Sequence, residues 1–287
     1  MISSRIRIYT FILVGFGAFL HAAGPVRRPA PVKVKNYHFS FELDNPFLYN
    51  ALAIGPDSGR LIKPAPHMQY LFCHGVGGNA CNAQYYQAYG ALPADVYSFD
   101  FCDYCDGKFD RTKTAMGQAA DIAVLRAQCA QLNTAQTRLV LCGVSRGAST
   151  IINFVGKEKP KNIAALILES PFAHMDDVLN NFTGSSILPT NFIMGRIYPA
   201  YNRQGEQPID YIEAINKNIP IALICSKTDA LVPYTSTMKL YDRLIAQGRK
   251  NVQILILPEG AHANLCDGPE YQRFVKNFLK RYKLILG

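Results

Sequence analysis

Long runs of one kind are what this sequence lacks. Its 30 Lys and Arg residues are scattered, not gathered into the basic tracts that follow a phosphate backbone, so a formal net charge of +9 does not describe a nucleic-acid-binding protein. No segment repeats and none is of low complexity, which excludes solenoids and propellers. A complete cysteine metal pattern is missing too. Cys102 and Cys105 form a Cys-x-x-Cys without the second pair a zinc ribbon needs, so a local disulfide or two ordinary thiols is expected there. The chain's eight cysteines suit an oxidising compartment but do not read as a dense disulfide framework. Cys73, Cys142 and Cys225 each end a short apolar run that reads as a buried strand, where free thiols are expected.

No apolar stretch near the N-terminus has full membrane-spanning length. The uncharged stretch 8–20 makes about 20 Å of helix against a hydrocarbon core of roughly 30 Å. Arg5 and Arg7 precede it and Ala22, Ala23 and Gly24 follow, the pattern of a secretory signal peptide. Leu20 is large for the position three before the cut, so an uncleaved N-terminal anchor is the alternative. Residues 1–23 are therefore expected to direct a secreted or periplasmic protein, membrane-anchored if the leader stays. Cleavage removes two arginines and no acids, lowering the charge to +7. The Pro- and Arg-rich stretch 24–34 reads as a linker, and 35–287 as one domain. Lys276, Lys280, Arg281 and Lys283 fit the solvated face of a terminal helix better than a membrane-surface patch.

What is present is an alternation of short apolar runs with longer amphipathic ones. Residues 36–43 alternate with a period of two, which predicts an antiparallel edge strand. Continuous apolar runs follow at 68–73, 96–101, 139–142, 163–168, 219–225 and 252–257, as parallel strands read when helices cover both faces. Helical periodicity between them, at 115–132, 237–247 and 271–284, supplies crossovers. The order specifies an α/β fold with a doubly wound, mostly parallel sheet. Residues 172–218 are too many for a short crossover and are expected to form a small inserted cap over the carboxyl ends of the strands.

The chemistry gathers in the loops after those strands. Gly143-Val-Ser145-Arg-Gly147 stands between a strand and a helix-compatible stretch. A serine on such a turn is strained and exposed at a helix N-terminus, and the glycines leave room for the neighbouring backbone. Asp229 follows the strand ending near Cys225 and His262 follows the strand ending at Leu257, the order Ser, Asp, His that a triad takes on this topology. Ser145 is thus the expected nucleophile, His262 the general base and Asp229 the acid that orients it. A helix N-cap is the plainer role for Asp229, and a loop histidine without function the plainer one for His262. Glu259 shares the loop of His262 and is less well placed to orient it. Phe72-Cys-His74-Gly-Val-Gly-Gly78 ends a strand where an oxyanion hole is required, and its expected donors are the backbone N–H groups of Val76 and Arg146. His74 is expected to shape that turn instead of acting as a second base. The Arg146 side chain is expected to face solvent or a salt bridge, a substrate anion being the alternative.

These residues, with Asp229 followed by Val232-Pro233, resemble the α/β-hydrolase superfamily over about residues 67–287. Leu168-Glu-Ser-Pro-Phe172 followed by Asp176-Asp-Val178 is similar to the prolyl-oligopeptidase-like and dienelactone-hydrolase-like branches. Where relatives often carry Asp-x-Arg-Gly-x-Gly, this chain has the more acidic Asp100-Phe-Cys-Asp-Tyr-Cys-Asp106, expected at a rim of the sheet where it tunes substrate access. The resemblance implies a serine hydrolase working through an acyl-enzyme without cofactor or metal, on a small-molecule or peptide acyl substrate. A carboxylesterase or lipase-like enzyme is the first expectation, a peptidase the second and a non-catalytic binding protein the third. A peptidase trimming free N-termini needs an acidic group in its pocket, for which Glu169 and Asp176 are the candidates. The oligomeric state and the acyl group are not legible.

Overall fold

The structure, a computed structural model, describes residues 48–52 and 64–286 apart from 90, 94, 106–107, 133, 135 and 184–189. The expected leader, linker and first strand at 36–43 lie outside the described residues, and among those described no helix is long and apolar enough to cross a membrane.

Among the described residues, seven strands form the main sheet: β1 (Leu48–Leu52), β2 (Met68–Cys73), β3 (Asp95–Phe99), then, after a two-stranded hairpin β4 (Tyr104–Cys105) and β5 (Lys108–Phe109), β6 (Arg138–Val144), β7 (Ile163–Glu169), β8 (Ile221–Ser226) and β9 (Val252–Leu257). Their order is β1-β3-β2-β6-β7-β8-β9. β1 runs antiparallel to β3, with Leu48 opposite Phe99 and Leu52 opposite Asp95, and every other pairing is parallel. Among the described residues, 48–52 is the antiparallel strand at the end of the sheet.

Continuous apolar runs form these strands because both faces are covered. Along β6, Leu139 and Leu141 point into one core layer while Val140, Cys142 and Val144 point into the other. The first layer is closed by α2 (Ala119–Leu132), α3 (Arg146–Glu158) and α7 (Tyr234–Ala246) through Ile122, Leu125, Ile151, Val155, Leu240 and Leu244. The second is closed by α1 (Asn82–Ala88) and α8 (Pro269–Arg281) through Ala83, Tyr86, Tyr271, Val275 and Phe278. Cys73 and Cys142 lie in these layers as free buried thiols, Cys225 is a free buried thiol in β8, and Cys102 is an exposed free thiol. β6 stands at the middle of the sheet, so the loop after it opens among the carboxyl ends of its neighbours.

Between β7 and β8 the long segment carries α4 (Met175–Thr183), α5 (Thr190–Ile197) and α6 (Pro208–Tyr211). Its last part returns to the core: Ile212 and Ile215 are buried in the first layer, and the Tyr211 carbonyl presses on Gly156 of α3 so closely that a Cβ there would collide.

Candidate active site

The turn from β6 into α3 carries Ser145 at φ 53°, ψ −118°, a conformation that costs a residue with a side chain on the order of 1–3 kcal/mol. Packing enforces it. A Cβ on Gly143 would lie 2.7 Å from the Ala148 nitrogen of α3, and one on Gly147 would run into the Cys73 carbonyl oxygen of β2. Helix and strands are therefore closer than any other residue pair would allow, and the chain between them must turn sharply. The Ser145 N–H donates to the Glu169 carbonyl at 2.8 Å, fastening the turn to the end of β7.

Asp229 follows β8, and its buried carboxylate is fully engaged. Oδ1 accepts the N–H groups of Leu231 and Val232, both at 2.9 Å. Oδ2 accepts the Ser170 hydroxyl at 3.0 Å and lies 2.8 Å from His262 Nδ1. Burial alone would raise its pKa, but the hydrogen bond and charge of His262, with the two N–H groups, outweigh it and hold the carboxyl below its ordinary value. The same contacts set aside the helix-cap alternative for Asp229. The N-cap of α7 is Pro233, and Asp229 closes the turn before it while keeping its second oxygen for the histidine.

The loop bearing His262 is held against that of Asp229 by Thr228, whose hydroxyl accepts the Gly260 N–H at 2.9 Å. Beyond it, the Tyr85 hydroxyl of α1 donates to the Asn264 side chain. With Nδ1 facing a carboxylate it carries the proton, so Nε2 is the basic nitrogen of the neutral ring. Asp229 and His262 are thus joined directly. Ser145 stands on the same carboxyl edge of the sheet, linked to Asp229 through the adjacent pair Glu169 and Ser170.

Facing the serine, Gly75 to Gly78 make a tight turn closed by the Gly78 N–H on the Gly75 carbonyl at 3.2 Å, with Gly77 at φ 70°. That bond leaves the N–H of Val76 out of the turn's own bonding. The backbone of Gly75 is so near the serine that a Cβ on it would lie 3.5 Å from the Ser145 Cβ. Arg146 opens α3, and the N–H of a first helical residue has no intrahelical acceptor.

His74 proves to be a strut. It is fully buried, its Nε2 accepts the Phe101 N–H at 3.2 Å, and its Nδ1 lies 2.7 Å from the Gly75 carbonyl, which assigns the proton to Nδ1. Burial first, then the Arg146 charge, lowers its pKa to about 4, so it stays neutral.

Two acids of the loop after β3 are engaged within the protein. Asp100 accepts the Ala80 N–H at 2.6 Å, and Asp103 and Asp121 together hold the guanidinium of Arg146, with Nε 2.7 Å and Nη2 2.5 Å from the two oxygens of Asp121. All three side chains are buried, and the guanidinium lies 4.3 Å from the Phe101 ring centroid. Desolvation pulls the Arg146 pKa down, but the two carboxylates more than offset it and raise it. Of the two settings expected for this side chain, salt-bridged is the one found; it neither faces solvent nor offers itself to a substrate anion. Sequence spacing carried no signal for Asp121, which reads as an ordinary helix-start charge, or for Ser170, whose φ of 45° appears only in the fold. Among the described residues no cluster of His, Cys, Asp and Glu is arranged to hold a metal ion.

Residues 111–283 match the model of the prolyl oligopeptidase family. The chain is 26% identical over 199 residues to the Escherichia coli K12 protein YfhR, a match covering 67% of this chain and 62% of that protein. Among solved structures, the Pyrococcus furiosus esterase Pf2001 superposes with a TM-score of 0.55 at 21% identity, covering 75% of this chain and 83% of that one. The Pyrococcus horikoshii acylaminoacyl peptidase gives 0.57 at 18%, covering 88% of this chain and 43% of that one. At those identities the likeness is one of fold, and both folds are α/β-hydrolases.

Proposed function

We propose, for a chain that belongs to the prolyl oligopeptidase family, that it is a serine hydrolase cleaving an ester or related acyl bond through an acyl-enzyme. The observation that carries this reading is the buried Asp229 carboxylate hydrogen-bonded to His262 Nδ1 at 2.8 Å, which fixes the tautomer a general base needs. Ser145 Oγ attacks the acyl carbonyl while His262 Nε2 takes its proton. The imidazolium so formed is stabilised by Asp229, and the oxyanion is received by the N–H groups of Val76 and Arg146. The protonated histidine then gives its proton to the leaving group, and water repeats the sequence to free the acid. Losing one oxyanion donor costs about 2.7–4 kcal/mol in such systems, which explains why so many contacts converge on the two loops that supply them.

An esterase is favoured over a peptidase that trims free N-termini. Such a peptidase needs an accessible carboxylate for the substrate's ammonium group, but Asp176 already faces the Arg203 charge at 3.0 Å and Glu169 is buried. The family name and the acylaminoacyl peptidase fold keep the peptidase as the second reading. The leader at 1–23 supports export as a further part of this proposal.

Nitrophenyl acyl esters and aminoacyl anilides, assayed side by side on the wild type and Ser145→Ala, test both choices. Hydrolysis of the esters and fluorophosphonate labelling are expected in the wild type, and both should vanish in a folded Ser145→Ala chain. Labelling that persists in the variant sinks the nucleophile assignment, and turnover of the anilides alone reverses the preference for an esterase.

A further inference from the structure

Glu169 ends β7 with a carboxyl group that the mechanism above does not use. It is 1% exposed, and neither carboxyl oxygen completes a hydrogen bond of normal length and angle, nor does the Tyr86 hydroxyl beside it. Burying a carboxyl without full pairing is costly, and a leucine here would pack more cheaply. Its surroundings all belong to the reacting edge. Tyr86 comes from α1, the helix entered directly from the oxyanion turn, and Tyr271 from α8, which the histidine loop enters. The Leu265 N–H and the Cys266 thiol come from the histidine loop itself, and Tyr85, beside Tyr86, holds Asn264 of that loop. The backbone of Glu169 accepts from the nucleophile's N–H, and its neighbour Ser170 donates to Asp229.

We propose that Glu169 is a positioning residue of the reaction. Its buried carboxyl, set between Tyr86 and Tyr271 beneath the loop that carries His262, supports the charged imidazolium and ties that histidine to the nucleophile turn. The inference rests on the serine-hydrolase reading and adds a second acid to it. When His262 takes the serine proton, positive charge appears on a ring whose field already reaches Glu169. An ionised Glu169, beside the Tyr86 and Tyr271 hydroxyls, stabilises that charge from within the protein. Burial, opposed by the two tyrosines and the His262 charge, pushes the Glu169 pKa up to about 7, so the support is switched on across the neutral range. The groups facing it are Tyr85 and Tyr86 of α1, Tyr271 of α8, and His262 and Cys266 of the histidine loop.

Steady-state hydrolysis of a nitrophenyl acyl ester by the full chain, followed from about pH 5 to 9, tests the proposal in wild type, Glu169→Gln, Tyr86→Phe and Tyr271→Phe. With a permanently neutral amide, His262 should lose its proton more readily. The acid limb of kcat/KM then moves to lower pH while the plateau kcat falls on the order of tenfold with KM unchanged. Removing a tyrosine hydroxyl weakens the ionised form of Glu169, so the limb in either Phe variant should move to lower pH, in the same sense as in Glu169→Gln. A lowered plateau with an unmoved limb in Glu169→Gln would reveal a merely structural residue and overturn the proposal. If Glu169→Gln does not fold, unmoved limbs in both Phe variants overturn it equally. A wild type that takes no fluorophosphonate label overturns the serine-hydrolase reading and this proposal together; a labelled wild type with any of the unmoved limbs overturns this proposal alone.

Discussion

At the scale of single residues, Asp229 divides its carboxylate between a turn and a base, and the two duties separate on substitution. Asp229→Asn keeps an acceptor for the Leu231 and Val232 N–H groups but favours the wrong histidine tautomer. Its kcat should fall about 10⁴-fold, by stopped-flow or discontinuous assay, while thermal stability changes little. Arg146 shows the contrary case, in which the whole side chain is given to a buried ion-pair clamp. Asp121→Asn leaves its guanidinium short of one buried counter-charge, and urea titration should show a loss of about 3–5 kcal/mol. The triad candidates were legible because each stands in a fixed relation to a strand end, and Asp229 and His262 do meet. The clamp of Asp103 and Asp121 was not legible. Its members come from a loop and a helix 43 and 25 residues before Arg146, and no local pattern announces which charges will be buried together.

Among the elements, the two core layers explain why strands were easier to read than their termini. The run 252–257 is β9 without correction, whereas 96–101 overran β3 because Phe101 is as apolar as any strand residue yet lies in the loop that braces His74. The helix expected at 115–132 begins only at Ala119, because Met116 and Gly117 take positive φ and the Gly117 N–H bonds the Asp121 carboxylate. Crowding between β6, β2 and α3 is the most demanding element contact. Gly147→Ala drives a methyl group into the Cys73 carbonyl of β2, so the variant should be recovered mostly as insoluble or protease-sensitive chain. Gly195→Ala, on α5 with open space around the same methyl, should behave as wild type by circular dichroism and activity.

For the whole molecule, pH acts through buried groups of opposite tendency. His74 keeps a lowered pKa of about 4, so the unfolded chain binds its proton more readily, and folding stability from this group rises with pH up to the ordinary histidine value. Glu169 has the reverse sign. Its pKa is raised from 4.5 to about 7, so the native chain holds a proton that the unfolded chain has released, and stability from this group falls between those two values. Glu169→Gln should therefore gain stability relative to wild type as pH rises from about 4.5 to 7, with a constant difference above. Urea midpoints at half-unit pH intervals would check it, and a difference independent of pH would contradict the buried-acid reading.

Arg146 opens α3 with its backbone and gives its guanidinium to the core, and this binds the protein's future variation. Asp103 and Asp121 cannot drift while Arg146 remains, and Arg146 cannot drift while they remain, since each single change strands a charge in the interior. Smaller residues are open to that position only through a simultaneous exchange of three side chains.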